Sequence, residues 1–104
     1  MAIERDTVTI WHNAGTPKAA EWHRTIVTNV RVDWSAGSVP GSVGATTQDQ
    51  MTAYLWSQPT IAAGDRIMVG PSSEAEPPMA AMRVSRVQPW TDDGRFEHME
   101  VTAR

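Results

Sequence analysis

Three histidines, His12, His23 and His98, are the first side chains to weigh for chemistry. They stand far apart, each in a segment of alternating character, with no short H-x-x-x-H spacing. A barrel could bring them together on a metal, but the spacing gives that no support, and no metal site is expected. The chain has no Cys, which removes thiol nucleophiles, disulfides and thiolate metal sites. No G-x-S-x-G elbow frames a serine nucleophile. The run GSVPGSVG is glycine-rich like a phosphate loop, yet it lacks the G-x-x-x-x-G-K-[ST] order and carries no Lys. Asp92 and Asp93 are paired carboxylates, but the Asp-Gly step that follows reads better as a hairpin turn. Glu74 and Glu76 lie in an acidic, proline-rich stretch, most simply a solvated surface, with a weak cation site or a contact for a basic neighbour as the alternatives. No catalytic residue and no cofactor is expected from this set.

Tryptophan is the unusual component. Five occur, Trp11, Trp22, Trp34, Trp56 and Trp90. One reading makes them core residues that supply buried area to a small domain. The other makes them an aromatic platform for sugars or bases, or anchors in a subunit contact. Parity discriminates between the two. Trp22 and Trp34 share parity with Ile26, Val30 and Val32, which places them in the core; Trp11 lies opposite Val8 and Ile10.

The elements that must position these residues are strands. Residues 6–12, DTVTIWH, alternate and are β-branched. Residues 22–34, WHRTIVTNVRVDW, alternate too, with Val27 out of step, and a strand of that length is expected to bend or bulge. Residues 50–56, QMTAYLW, form a third strand, with helix as the alternative given Met, Ala and Leu. GDRIMVG, residues 64–70, is a turn leading into a short strand with Ile67 and Val69 facing in. Residues 81–90 and 95–103 bracket TDDG as a hairpin, with a parity switch on the second arm. Six short strands and little helix predict an all-β fold, a small six-stranded β-barrel or sandwich with two long flexible loops. Barrel closure is favoured because it removes free edges.

At 104 residues the chain reads as one domain, residues 1–104, with loops at about 35–50 and 71–79. The net charge of −3, with both signs interspersed, argues against a dedicated nucleic-acid binder. No apolar run approaches a membrane span, and the opening MAIERDTV does not read as a signal peptide, so no membrane is expected. Function is expected on surfaces and loops. The first loop, with Gly37, Pro40, Gly41 and Gly44, is the candidate assembly loop; the second, with Glu74 and Glu76, is a candidate contact loop.

The order of motifs resembles the small minor capsid and head–tail connector proteins of tailed phages and prophages. The matching positions are the Thr–aromatic–Asn strand at 9–13, the R-T-ϕ-ϕ-x-x-V strand ending in Trp at 24–34, the G-D-x-ϕ-ϕ-x-G turn and strand at 64–70, and H-x-x-V at 98–101. The resemblance implies a structural virion component at the head–tail junction, an adaptor or stopper. It implies a ring of copies of itself, with portal, adaptor or tail proteins as neighbours and DNA passing through without sequence-specific binding. It implies location in the virion after synthesis in the host bacterial cytoplasm, and it brings no catalytic residues. From another class, a Trp-rich carbohydrate- or peptide-binding β module is the alternative.

Overall fold

Alternating β-branched and apolar residues build six strands, and in the computed structural model, which describes residues 6–35 and 50–104, these close into a barrel. They are β1 (Asp6–Asn13), β2 (Trp22–Ser35), β3 (Gln50–Leu55), β4 (Arg66–Val69), β5 (Met82–Asp92) and β6 (Arg95–Ala103). Around the barrel the order is β1-β2-β3-β6-β5-β4, and every neighbouring pair is antiparallel. No helix occurs among the described residues. The stretch 50–55, open to a helical reading, is a strand because ladders on both sides, to β2 and β6, satisfy its backbone.

Two strands turn the corners. β2 pairs with β1 through Val30 and then with β3 from Arg31 onward. At the change, Asp6 faces Val30 while Val8 faces Val27, so Thr28 and Asn29 together oppose the single Thr7. That is a bulge, and Asn29 takes the left-handed conformation at φ 57°. β5 pairs with β4 only at Met82 and Arg83 and then with β6, with a second register shift between Val84 and Arg86. The bulges let one strand serve two sheet directions, which is how a small barrel closes.

The first bulge also corrects the parity read from the sequence. Val27, the apparent exception, is the inward residue, at 9% exposure, and Ile26 faces out at 41%. After the bulge Val30 is inward and fully buried, with Val32 packed against the core. Trp34 keeps the inward parity but is 57% exposed, and Val69 of β4 is exposed as well. The core consists of Val8, Ile10, Val27, Val30, Met51, Ala53, Leu55, Ile67, Val84, Met99, Val101 and Ala103. No tryptophan belongs to it.

The β5–β6 hairpin matches its sequence signal. Asp92 pairs with Arg95, and Asp93 and Gly94 both have positive φ, 53° and 77°, as a two-residue type I′ turn requires. A third shift, between Trp90 and Thr91, leaves Glu97 as the extra residue and explains why Phe96 and Met99 both face the apolar side.

Segment 71–79 is tied down rather than free. Gly70, at φ 100°, turns the chain out of β4 and donates its N–H to the Thr7 carbonyl at 2.6 Å. The Trp11 indole N–H then donates to the Glu74 carbonyl at 2.9 Å, and Arg24 donates to the Ser72 carbonyl at 2.7 Å. Trp11 is thereby fully buried although it sits on the outer face of β1.

Asn29→Gly is expected to leave stability within about 0.5 kcal/mol of wild type, because both residues accept a left-handed φ. Asn29→Val is expected to cost about 1–2 kcal/mol in urea unfolding. Equal midpoints for the two variants would contradict the bulge.

Candidate functional site

Two features of the surface have the composition of a binding site. The first is an aromatic row on the outer face of β3, β6 and β5. Tyr54 faces Glu100 across the β3–β6 ladder, and His98 faces Trp90 across β6–β5. Trp56, just after β3, completes the row. The His98 ring centroid lies 6.2 Å from Tyr54, 6.3 Å from Trp56 and 6.2 Å from Trp90, with the Trp90 ring nearly parallel at 16°. The Arg31 guanidinium sits 5.5 Å from the Tyr54 ring centre, within cation–π range. Both imidazole nitrogens face carboxylates: Nδ1 is 3.2 Å from Glu97 Oε1 and Nε2 is 3.2 Å from Glu100 Oε2. The imidazole itself is largely covered, while Trp56 and Trp90 remain about half exposed. Exposed aromatics beside acceptor oxygens can stack on a ring or cover a neighbour's apolar surface.

The second feature is a cleft of about 510 Å³ at the end of the barrel where β1 finishes and β2, β4 and β5 begin. Its floor is Asp65, buried at 3% exposure. Asp65 Oδ2 accepts the Ala62 N–H at 2.7 Å and meets His12 Nδ1 at 2.7 Å, and Oδ1 accepts the Asn13 N–H at 3.1 Å. Three donors satisfy one buried carboxylate, as burial of a charge demands. Donation from Nδ1 fixes the His12 ring and leaves Nε2 as the nitrogen without an assigned partner. The wall beside it is the 13–21 turn, organised by Asn13, whose Oδ1 accepts the N–H groups of Gly15 at 2.9 Å and Glu21 at 3.0 Å. Trp22 and Pro17 also line the cleft.

Arg66 and Arg83 line it too, and they stand directly opposite each other in the β4–β5 ladder. Neither has a carboxylate within ion-pair distance among the described residues. Like charges in direct cross-strand opposition cost stability, so this pair is a local expense for the fold.

The residues singled out from sequence fall as follows. Gly37, Pro40, Gly41 and Gly44 lie outside the described residues. Glu74 contributes its backbone carbonyl to Trp11, while the side chains of Glu74 and Glu76 are exposed. The three histidines do not converge: His12 is on Asp65, His23 is exposed 3.9 Å from Glu21, and His98 is in the aromatic row. Among the described residues no group of three His, Cys, Asp or Glu is placed to hold a metal. Sequence reading took Asp65 for a turn residue and missed its role as a hub. The aromatic row was invisible without the β3–β6 register and the bulge at Glu97, which together align Trp56, His98 and Trp90.

Comparison with known proteins found no matching family model, no matching curated protein and no matching solved structure.

Asp65→Ala is expected to lower stability by about 1–3 kcal/mol, because it removes the carboxylate that joins the Asn13 and Ala62 N–H groups and His12. Trp11→Phe keeps most of the burial but loses the indole donor. It should cost about 1–2 kcal/mol, and amide exchange should speed up in residues 71–79 more than in β3 or β6.

Proposed function

We propose that the chain is a structural component of a tailed-phage virion at the head–tail junction, an adaptor or stopper that works as one of a ring of copies. It acts by contact and not by covalent chemistry. The motif order along residues 9–13, 24–34, 64–70 and 98–101 supports the virion reading. The observation that carries the contact reading is the placement of tryptophan. Trp34, Trp56 and Trp90 are 57%, 49% and 47% exposed, on a domain whose interior is filled by aliphatic residues. Large exposed aromatics on a small domain fit surfaces that become covered in an assembly.

A carbohydrate- or peptide-binding module is the second reading, favoured by the Trp56–His98–Trp90 row with its flanking Glu97 and Glu100. The two differ in a simple experiment. Particles produced from a genome carrying this gene are purified and their proteins quantified by mass spectrometry, with immunogold labelling of the intact particles. A virion component is expected in several copies per particle, with label at the tail-bearing vertex, and its deletion should leave filled heads that do not join tails. Absence from purified particles would overturn the virion reading. Trp90→Ala separates the contact modes: loss of tail joining indicates a protein contact, whereas loss of retention on a glycan array indicates a sugar site.

A further inference from the structure

The β5–β6 hairpin runs on beyond its ladders to β3 and β4, with Phe96 still packed on the core and His98 beside Tyr54 and Trp56. β3 covers β6 only from Met99 to Ala103, and β4 covers β5 only at Met82 and Arg83. Residues 90–98 therefore pair only with one another among the described residues. A two-stranded arm is marginal in water, and this one carries an exposed Trp90. Its tip is acidic: Asp92 ends β5 opposite Arg95, the one cation, Asp93 opens the turn, and Glu97 follows. At the other end of β5 lies the cleft with Arg66 and Arg83. The nine residue-to-residue steps from Arg83 to Asp92 span roughly 30 Å at about 3.3 Å per step. Tip and cleft of one molecule therefore cannot meet.

From these two features we infer that the acidic arm of one copy enters the Arg66–Arg83 cleft of a second copy, joining molecules head to tail. The Asp92 and Asp93 carboxylates accept from the two guanidinium groups, the geometry for which arginine is best suited. His12, whose Nδ1 donates to Asp65, leaves Nε2 as an acceptor for an N–H group of the arm. Among the described residues that line the cleft Asp65 is the one anion, and its oxygens are already occupied by three donors. Trp90 of the arm meets the wall formed by Trp22 and Pro17. The contact relieves the Arg66–Arg83 opposition and covers an arm that has no third strand. It joins different surfaces at opposite ends of the molecule, so it is heterologous and generates a ring when the rotation closes. This inference deepens the reading of the chain as one of a ring of copies.

The test uses two variants of the whole chain. One is Arg66→Glu/Arg83→Glu. The other is Asp92→Lys/Asp93→Asn, where Asn is chosen because position 93 needs a positive φ. Thermal unfolding first establishes that both keep a cooperative transition. Sedimentation then follows self-association over rising protein concentration. Wild type is expected to associate, and to do so more weakly as salt rises from about 0.05 M to about 0.5 M. Each variant alone should associate at least tenfold more weakly. An equimolar mixture should associate again, because every contact between unlike variants is charge-complementary. A wild type that stays monomeric throughout, variants that associate as wild type does, or a mixture that fails to recover would each overturn the inference. The virion reading is scored separately by particle composition, so a protein found in particles whose variants associate normally removes the arm contact and leaves that reading standing.

Discussion

Closure of the barrel depends on one buried carboxylate. The β4–β5 seam is the shortest in the molecule, with two register pairs, and one of them sets Arg66 against Arg83. What holds the seam is the turn before β4. The Gly64 N–H donates to the Val84 carbonyl and the Val84 N–H to the Asp65 carbonyl, both at 2.8 Å, which extends the ladder past its last arginine. The Asp65 side chain keeps that turn in place by binding Ala62 within it and Asn13 and His12 at the end of β1. One side chain thus ties β1, β4 and β5 together where the ladder alone is weakest. The same carboxylate fixes the floor and one wall of the cleft, so barrel closure and the shape of the cleft share a single cause.

The narrowness of the barrel settles where the tryptophans go. Even eight strands leave an interior just wide enough for side chains to fill. Here six strands enclose Val, Ile, Leu and Met, with Ala53 and Ala103 among the smallest members. No indole ring lies in that interior among the described residues. Trp11 gains its burial outside the barrel, beneath segment 71–79, and Trp56 and Trp90 lie on the outer face beside His98. The assumption that a small domain spends its tryptophans on its core fails when the core is the inside of a small barrel. Aromatic area then becomes surface area, available to a strap, a ligand or a neighbour.

Much of the fold was legible because it follows from local rules. The six strands, the Asp93–Gly94 turn and the shift on β6 all leave marks within a few residues. The parity of β2 was misread for an instructive reason. Alternation is a reliable guide only between bulges, and the bulge at Thr28 and Asn29 displaces every inward position before it by one. Val27 was the visible symptom, an aliphatic out of step, and Asn29 the residue able to supply the left-handed turn. The hub at Asp65, the cover over Trp11 and the row around His98 leave no such local mark. Each joins residues 40 or more positions apart, or aligns three strands through register, and pairing must be known before any of them can be read.

Closure also limits how this molecule can meet others. A closed ladder offers no edge for strand addition where it is complete. Among the described residues, unpaired edges include those along the arm and the side of the first half of β2 that faces away from β1. The β2 edge carries Arg24, which is already engaged with Ser72, and the exposed Ile26. The arm has free backbone on both sides, an exposed indole and a charged tip, so it offers hydrogen bonds, apolar area and steering charge in one element. Charged groups set orientation and encounter rate more than affinity, whereas a buried aromatic supplies the affinity. An arm that combines Trp90 with Asp92 and Asp93 divides those tasks between adjacent residues, and this makes it the part of the surface best equipped to hold a specific neighbour.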